Sequence, residues 1–139
     1  MVLFKYRLLI ILSLLCVAFD LGGQNFIGMY KDDIAGEVKK RYPGLKLNTN
    51  VINHDYKYLK YEDKINEITM LFFLSEDDKC TLVRRMCDYS NINDELAELQ
   101  SKYKSGGKNQ WFYEDGGKKY LVTLEDGEWY FTITTKLKK

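Results

Sequence analysis

The sequence predicts an α+β fold, in which two α-β-β-β units form one antiparallel sheet with two helices packed on one face. Three observations carry this expectation. Two segments repeat apolar residues at helical spacing, several others alternate at the period of two that strands require, and the two kinds of segment follow one another in the same order twice. One proline and eleven tyrosines in 139 residues fit ordered sheet rather than a disordered stalk.

In chain order, the first element is a targeting segment. Lys5 and Arg7 precede an apolar run from Leu8 to Phe19, broken only by Ser13 and followed by Gly22, Gly23 and Gln24. A charged start, a short apolar middle and a small-residue exit make a secretory signal peptide. The run is shorter than the roughly 20 apolar residues a membrane span needs. Cleavage is expected near Gly23, giving a signal peptide over 1–23 and a single domain over 24–139. Localisation is then secreted or periplasmic. A lipid anchor on Cys16 is the weaker reading, because Leu15 stands where lipoprotein signals carry a small residue.

The domain divides into pseudo-repeats over 28–90 and 91–139. In the first, Ile34, Val38 and Tyr42 lie four apart; in the second, Leu96, Leu99 and Tyr103 mark one stripe. Each segment has acidic residues early and basic residues late, as a surface helix does. Asn91 and Asp94 form a capping pair in this reading, and Pro43-Gly44 and Ser105-Gly106-Gly107 act as breakers. A short edge strand is expected around Leu45-Lys46-Leu47. Tyr61-Glu62-Asp63 then matches Tyr113-Glu114-Asp115, and Ile68, Met70 and Phe72 align with Tyr120, Val122 and Leu124. Turns at Ser75-Glu76-Asp77-Asp78 and Glu125-Asp126-Gly127 lead to closing strands over 79–87 and 128–135.

Composition excludes some functions. Removing residues 1–23 lowers Lys plus Arg from 21 to 19 and Asp plus Glu from 20 to 19. A neutral chain lacks the basic footprint of a nucleic-acid binder. Cys80 and Cys87 are seven residues apart, about 23 Å along an extended strand, whereas bridged Cα atoms lie within about 7 Å. Odd spacing also sends their side chains to opposite faces unless a turn or bulge intervenes. Two buried free thiols are therefore expected.

The sequence carries no recognisable catalytic signature. His54, the only histidine, adjoins Asp55, but strand neighbours point apart, and no nucleophile motif accompanies the pair. Asn48, Asn50, Asn53 and Asp55 lack calcium-loop spacing, and one histidine with two cysteines makes no recognisable zinc site. The expectation is no cofactor, no metal and no catalytic residue.

The interest lies in the sheet's uncovered side. Leu71-Phe72-Phe73-Leu74 is apolar on both faces, and Trp129-Tyr130-Phe131 is aromatic on both. An uncovered sheet face normally alternates with polar residues, and a large exposed apolar patch marks a binding surface. The candidate partner-binding residues are Tyr56, Tyr58, Arg85, Trp111, Tyr113 and Tyr130, with Arg84 the alternative to Arg85. Ordinary core packing is the competing account of each aromatic, since aromatics favour strands.

Gly28-Met29-Tyr30-Lys31-Asp32-Asp33-Ile34 resembles the helix-opening segment (Gly-x-Ser/Thr-x-acidic-acidic-aliphatic) of the SmpA/OmlA-type outer-membrane assembly lipoproteins, with Tyr30 in the place of the Ser or Thr. The tandem helix-plus-strands order is similar to that of the secreted β-lactamase inhibitor proteins. The resemblance implies an exported bacterial binding module without chemistry of its own, whose uncovered sheet face grips another protein. The alternatives are an envelope enzyme with an unrecognised site, a carrier of a small apolar ligand, and self-association through the aromatic face.

Overall fold

The computed structural model describes residues 25–49 and 56–139. The expected signal segment with Cys16, the expected cleavage position, and Asn50, Asn53, His54 and Asp55 lie outside the described residues.

Helix α1 (Lys31–Arg41) buries Ile34 and Val38, which share one side through their four-residue spacing. Asp32 and Asp33 open it, and Lys39, Lys40 and Arg41 close it, each sign at the helix end that favours it. Tyr30 occupies the N-cap but makes no capping bond with its side chain. The entry is tied to the sheet instead. The Gly28 N–H donates to the Cys80 carbonyl, the Cys80 N–H to Met29, and the Lys31 N–H to Asp78.

Helix α2 (Ile92–Lys102) buries Leu99. It is led in by a 3-10 turn over Tyr89–Asn91, opened where the Asp88 carboxylate accepts from the Ser90 N–H. The expected Asn91–Asp94 capping pair does not form, because Asn91 makes no capping bond with its side chain.

Eight strands follow the helices: β1 (Lys46–Leu47), β2 (Tyr58–Asp63), β3 (Ile68–Leu74), β4 (Cys80–Asp88), β5 (Lys104–Gly107), β6 (Gln110–Asp115), β7 (Lys118–Asp126) and β8 (Tyr130–Leu137). They form one sheet in the order β1-β2-β3-β4-β8-β7-β6-β5, and every neighbouring pair is antiparallel. Each helix is thus followed by four strands, and the fourth strands of the two sets, β4 and β8, meet in the middle. The added strand in the second set is β5, at the segment read from sequence as a breaker. Its Gly106 is required there: a Cβ at that position would lie 1.8 Å from Cε2 of Phe112, whose ring covers the edge strand.

Both helices lie on one side of the sheet. Under α1, Ile34 and Val38 pack with Tyr61, Met70, Phe72 and Val83. Under α2, Leu99 packs with Trp111, Val122, Leu124, Phe131 and Ile133. Ile68 touches both clusters. The register makes these strand residues cross-strand neighbours: Tyr61 faces Met70, Met70 faces Arg85, Arg85 faces Ile133 and Ile133 faces Leu124.

One irregularity resolves the cysteine spacing. Phe73 pairs with Leu82 and Leu74 with Cys80, which leaves Thr81 as an extra residue. The bulge shifts the alternation by one, so Cys80 joins Val83 and Cys87 on the helix side. Both thiols are free and buried, in different clusters. Burial pushes the Cys80 thiol up to about 12 and the Cys87 thiol up to about 11. Among the described residues, no helix is long and apolar enough to cross a membrane.

Candidate functional site: the uncovered sheet face

All the buried residues of β2 to β8 stand on the helix side, and the alternate residues, on the far side, are half-buried or exposed. No described element lies over that far side. Its side chains form rows that run across the strands. One row reads Tyr58, Phe73, Leu82, Lys136, Leu121 and Phe112 on β2, β3, β4, β8, β7 and β6. Beside it runs Lys60, Leu71, Arg84, Thr134, Thr123 and Gln110, and beyond that Glu62, Thr69, Met86, Thr132 and Glu125.

These rows form a gradient. The first is apolar and aromatic except for Lys136. At its β2–β3 end, Tyr58 and Tyr56 flank Phe73, with ring centroids 5.7 and 6.4 Å away, and the Arg84 guanidinium lies 5.6 Å above the Phe73 ring. A shallow open groove of about 730 Å³ lies here, bounded by Tyr56, Tyr58, Leu71, Phe73, Leu82 and Arg84. At the other end, the Phe112 ring carries the ammonium groups of Lys138 at 4.5 Å and Lys119 at 5.1 Å. Cations over aromatic faces hold both partners flat against the sheet.

The third row is polar and acidic around a central Met86. Glu62 accepts from Lys60 at 2.9 Å and from Asn48, and these two contacts hold its carboxyl below the usual range. Beyond it, the Ser90 bonds likewise hold Asp88 low. The turns at this end expose Ile65 and Trp129.

The structure splits the six residues named from sequence. Tyr56 (65% exposed) and Tyr58 adjoin one another at the apolar end of the uncovered face. Tyr130 is also on that face but at the opposite end of the strands, across from Asp88. The other three are corrections, because they face the helices. Trp111 is 5% exposed and sits in the core beneath α2. Tyr113 is stacked between Tyr103 and Tyr120 at centroid distances of 4.8 and 4.9 Å, and burial raises its hydroxyl far above the ordinary tyrosine range. Arg85 pairs with Glu95 of α2. Burial opposes the Arg85 charge, but Glu95 together with the smaller pulls of Cys87, Tyr42 and Glu98 outweighs that opposition and keeps the guanidinium firmly protonated.

The physical reason is the register. Trp111 faces Val122 and Tyr113 faces Tyr120 across the β6–β7 hairpin, so they share the side that Val122 buries. Sequence alternation shows that Trp111 and Tyr113 share a face but not which one. Leu82, Lys136, Leu121 and Phe112 were missed for the same reason; Phe112, between Trp111 and Tyr113, was the available signal. Phe73 falls within the doubly apolar run noted from sequence, and of the two arginines it is Arg84 that faces outward.

Among the described residues, no three His, Cys, Asp or Glu side chains are grouped to hold a metal ion. The arrangement offers shape, apolar area and charge to an extended surface. No family model, curated protein sequence or solved structure matches this chain.

Proposed function

We propose that this chain is an exported, non-catalytic protein-binding module, inhibitor- or adaptor-like, that docks a partner protein on the uncovered sheet face. The carrying observation is the six-strand row from Tyr58 to Phe112, aromatic and aliphatic in five of its six residues, with those five left half-exposed. Six strands spaced about 4.8 Å apart and about seven residues long present roughly 700 Å². That is close to the ~800 Å² per partner of a standard protein interface. Rigid aromatic side chains on strands contribute contact energy at low entropic cost.

A carrier of a small apolar ligand is the weaker reading. The apolar groove of about 730 Å³ beside Phe73 lies open to solvent and does not enclose a ligand. The gap between the helices, lined by Phe26, Tyr42, Met70, Val83, Arg85 and Tyr103 among others, measures about 80 Å³, below the ~300 Å³ at which ligand pockets begin. The reading also includes removal of residues 1–23 on export and descent of the halves 28–90 and 91–139 from one duplicated unit. The matching order of helix and four strands supports the duplication.

The test is partner capture from the source's envelope and medium with three immobilised proteins. These are the wild type, Phe73→Ser with Leu121→Ser on the uncovered face, and Lys39→Glu with Lys40→Glu on α1. Circular dichroism checks that each variant is folded. A partner retained by the wild type and the α1 variant but lost from the uncovered-face variant is expected. A partner that survives the uncovered-face changes, or is lost only with the α1 changes, overturns the proposal.

A further inference from the structure

We infer that the partner meets this row with an acidic surface that also bears apolar side chains; the inference rests on the proposed use of the uncovered face and adds the partner's chemistry. The cations along the row carry the argument. Arg84, Lys104, Lys119, Lys136 and Lys138 all point to this side, in or next to the apolar row. None of the five takes part in an ion pair among the described residues, whereas Arg41, Lys57, Lys60, Lys79, Arg85 and Lys102 do. Among the described residues, the carboxylates beside the row are fewer than these cations: Glu114 faces Lys119 across β6 and β7 without closing on it, and Glu76 borders the groove that Arg84 lines. The chain is close to neutral as a whole, so this concentration of unmatched charge is a local property of the face.

The same pattern argues against a second copy of the chain. Laid row on row, two copies bring their five unpaired cations together. Turned end for end, they set Tyr58, Phe73 and Leu121 against Glu62, Thr69 and Glu125, and apolar contact is lost. An acidic partner satisfies both halves of the row at once: its carboxylates answer the cations, and its apolar residues cover Phe73, Leu82 and Leu121. Arg84, Lys119 and Lys138 already rest on aromatic rings, so little side-chain freedom is left to lose on binding.

The test uses two synthetic strand peptides of about ten residues, one alternating Glu with Leu and Phe, the other identical with Lys in place of Glu. Amide chemical shifts of the full protein report the site, and titration reports affinity. The acidic peptide is expected to shift Phe73, Leu82, Arg84, Leu121 and Lys136. Its affinity is expected to fall about ten-fold or more in Arg84→Gln with Lys136→Gln, and to weaken as salt rises. Equal binding of the lysine peptide, binding of neither, or acidic-peptide shifts outside the row overturns the inference. So does a concentration-dependent dimer seen by sedimentation through the same residues, or tighter binding to phosphatidylglycerol vesicles than to the acidic peptide. If partner capture still depends on Phe73 and Leu121 while the acidic peptide fails, the docking face stands and only the partner's charge is wrong.

Discussion

The two sides of this sheet are built from alternate residues of the same strands, yet the same residue types do different work on each. Tyr61, Trp111, Tyr113 and Tyr120 face the helices and are packed away, with Tyr113 held inside a three-ring stack. Tyr58, Phe73 and Phe112 face outward and carry cations or further rings on their surfaces. An aromatic residue's identity therefore says little about its role here. What decides the role is which hairpin partner it opposes and whether a helix lies above.

The sharpest way to break this comparison is to truncate one ring from the helix side. Trp111→Ala removes a buried indole and is expected to cost about 3–5 kcal/mol, read as a lower urea midpoint. A loss below about 1 kcal/mol would mean that Trp111 is not part of the core.

Next comes the ion pair between strand and helix. Glu95→Ala leaves Arg85 charged beneath α2 and is expected to cost roughly 3 kcal/mol. Arg85→Met combined with Glu95→Leu is expected to recover most of that loss, because two apolar side chains replace the pair without stranding a charge. A double variant as unstable as Glu95→Ala would assign the loss to packing alone.

A third effect is a pH dependence confined to the helix side. The buried thiols sit above their ordinary value of 9.0, Cys87 at about 11 and Cys80 at about 12. Where the unfolded chain has released these protons, the folded chain still binds them. Their stabilising contribution is therefore complete below pH 9 and drains away as pH rises through 11 and 12. Stability in urea is expected to fall with rising pH above 9, and less steeply in Cys80→Ala with Cys87→Ala. Parallel profiles would move the alkaline loss onto Tyr61, Tyr103 and Tyr113, whose hydroxyls burial also raises.

The smallest effect belongs to the uncovered face. Tyr58→Ala is expected to cost about 1 kcal/mol or less, through lost contact with Phe73. A cost approaching that of Trp111→Ala would show that this side, too, is packed in solution.

Much of the fold was legible because local patterns record it. The spacing of Ile34 and Val38 marks the buried stripe of α1. The alignment of Ile68, Met70 and Phe72 with Tyr120, Val122 and Leu124 picks out residues that all face the helices. Two features depended on pairing and so were not visible. Strand β5 exists because Phe112 lies across Gly106, a contact that Lys104-Ser105-Gly106-Gly107 does not announce by itself. Cys80 and Cys87 share a side because Thr81 is squeezed out of register opposite Phe73, and one strand's own sequence does not show where its neighbour slips. The candidate site divided along the same line. Tyr56 and Tyr58 both flank Phe73 on the uncovered face, while Trp111 and Tyr113 also lie together but on the side the helices cover.

The meeting of β4 and β8 at the sheet's centre has a kinetic consequence. Every other adjacent pair joins strands that are consecutive in the chain, so each half can zip up as a local meander soon after collapse. The central ladder instead joins residues 42 positions apart at Asp88–Tyr130 and 54 apart at Leu82–Lys136. Closing it carries the largest loop entropy in the sheet. Refolding should therefore be limited by this one seam: substitutions at Met86 or Thr132 would slow it, while those in the outer hairpins would mainly hasten unfolding.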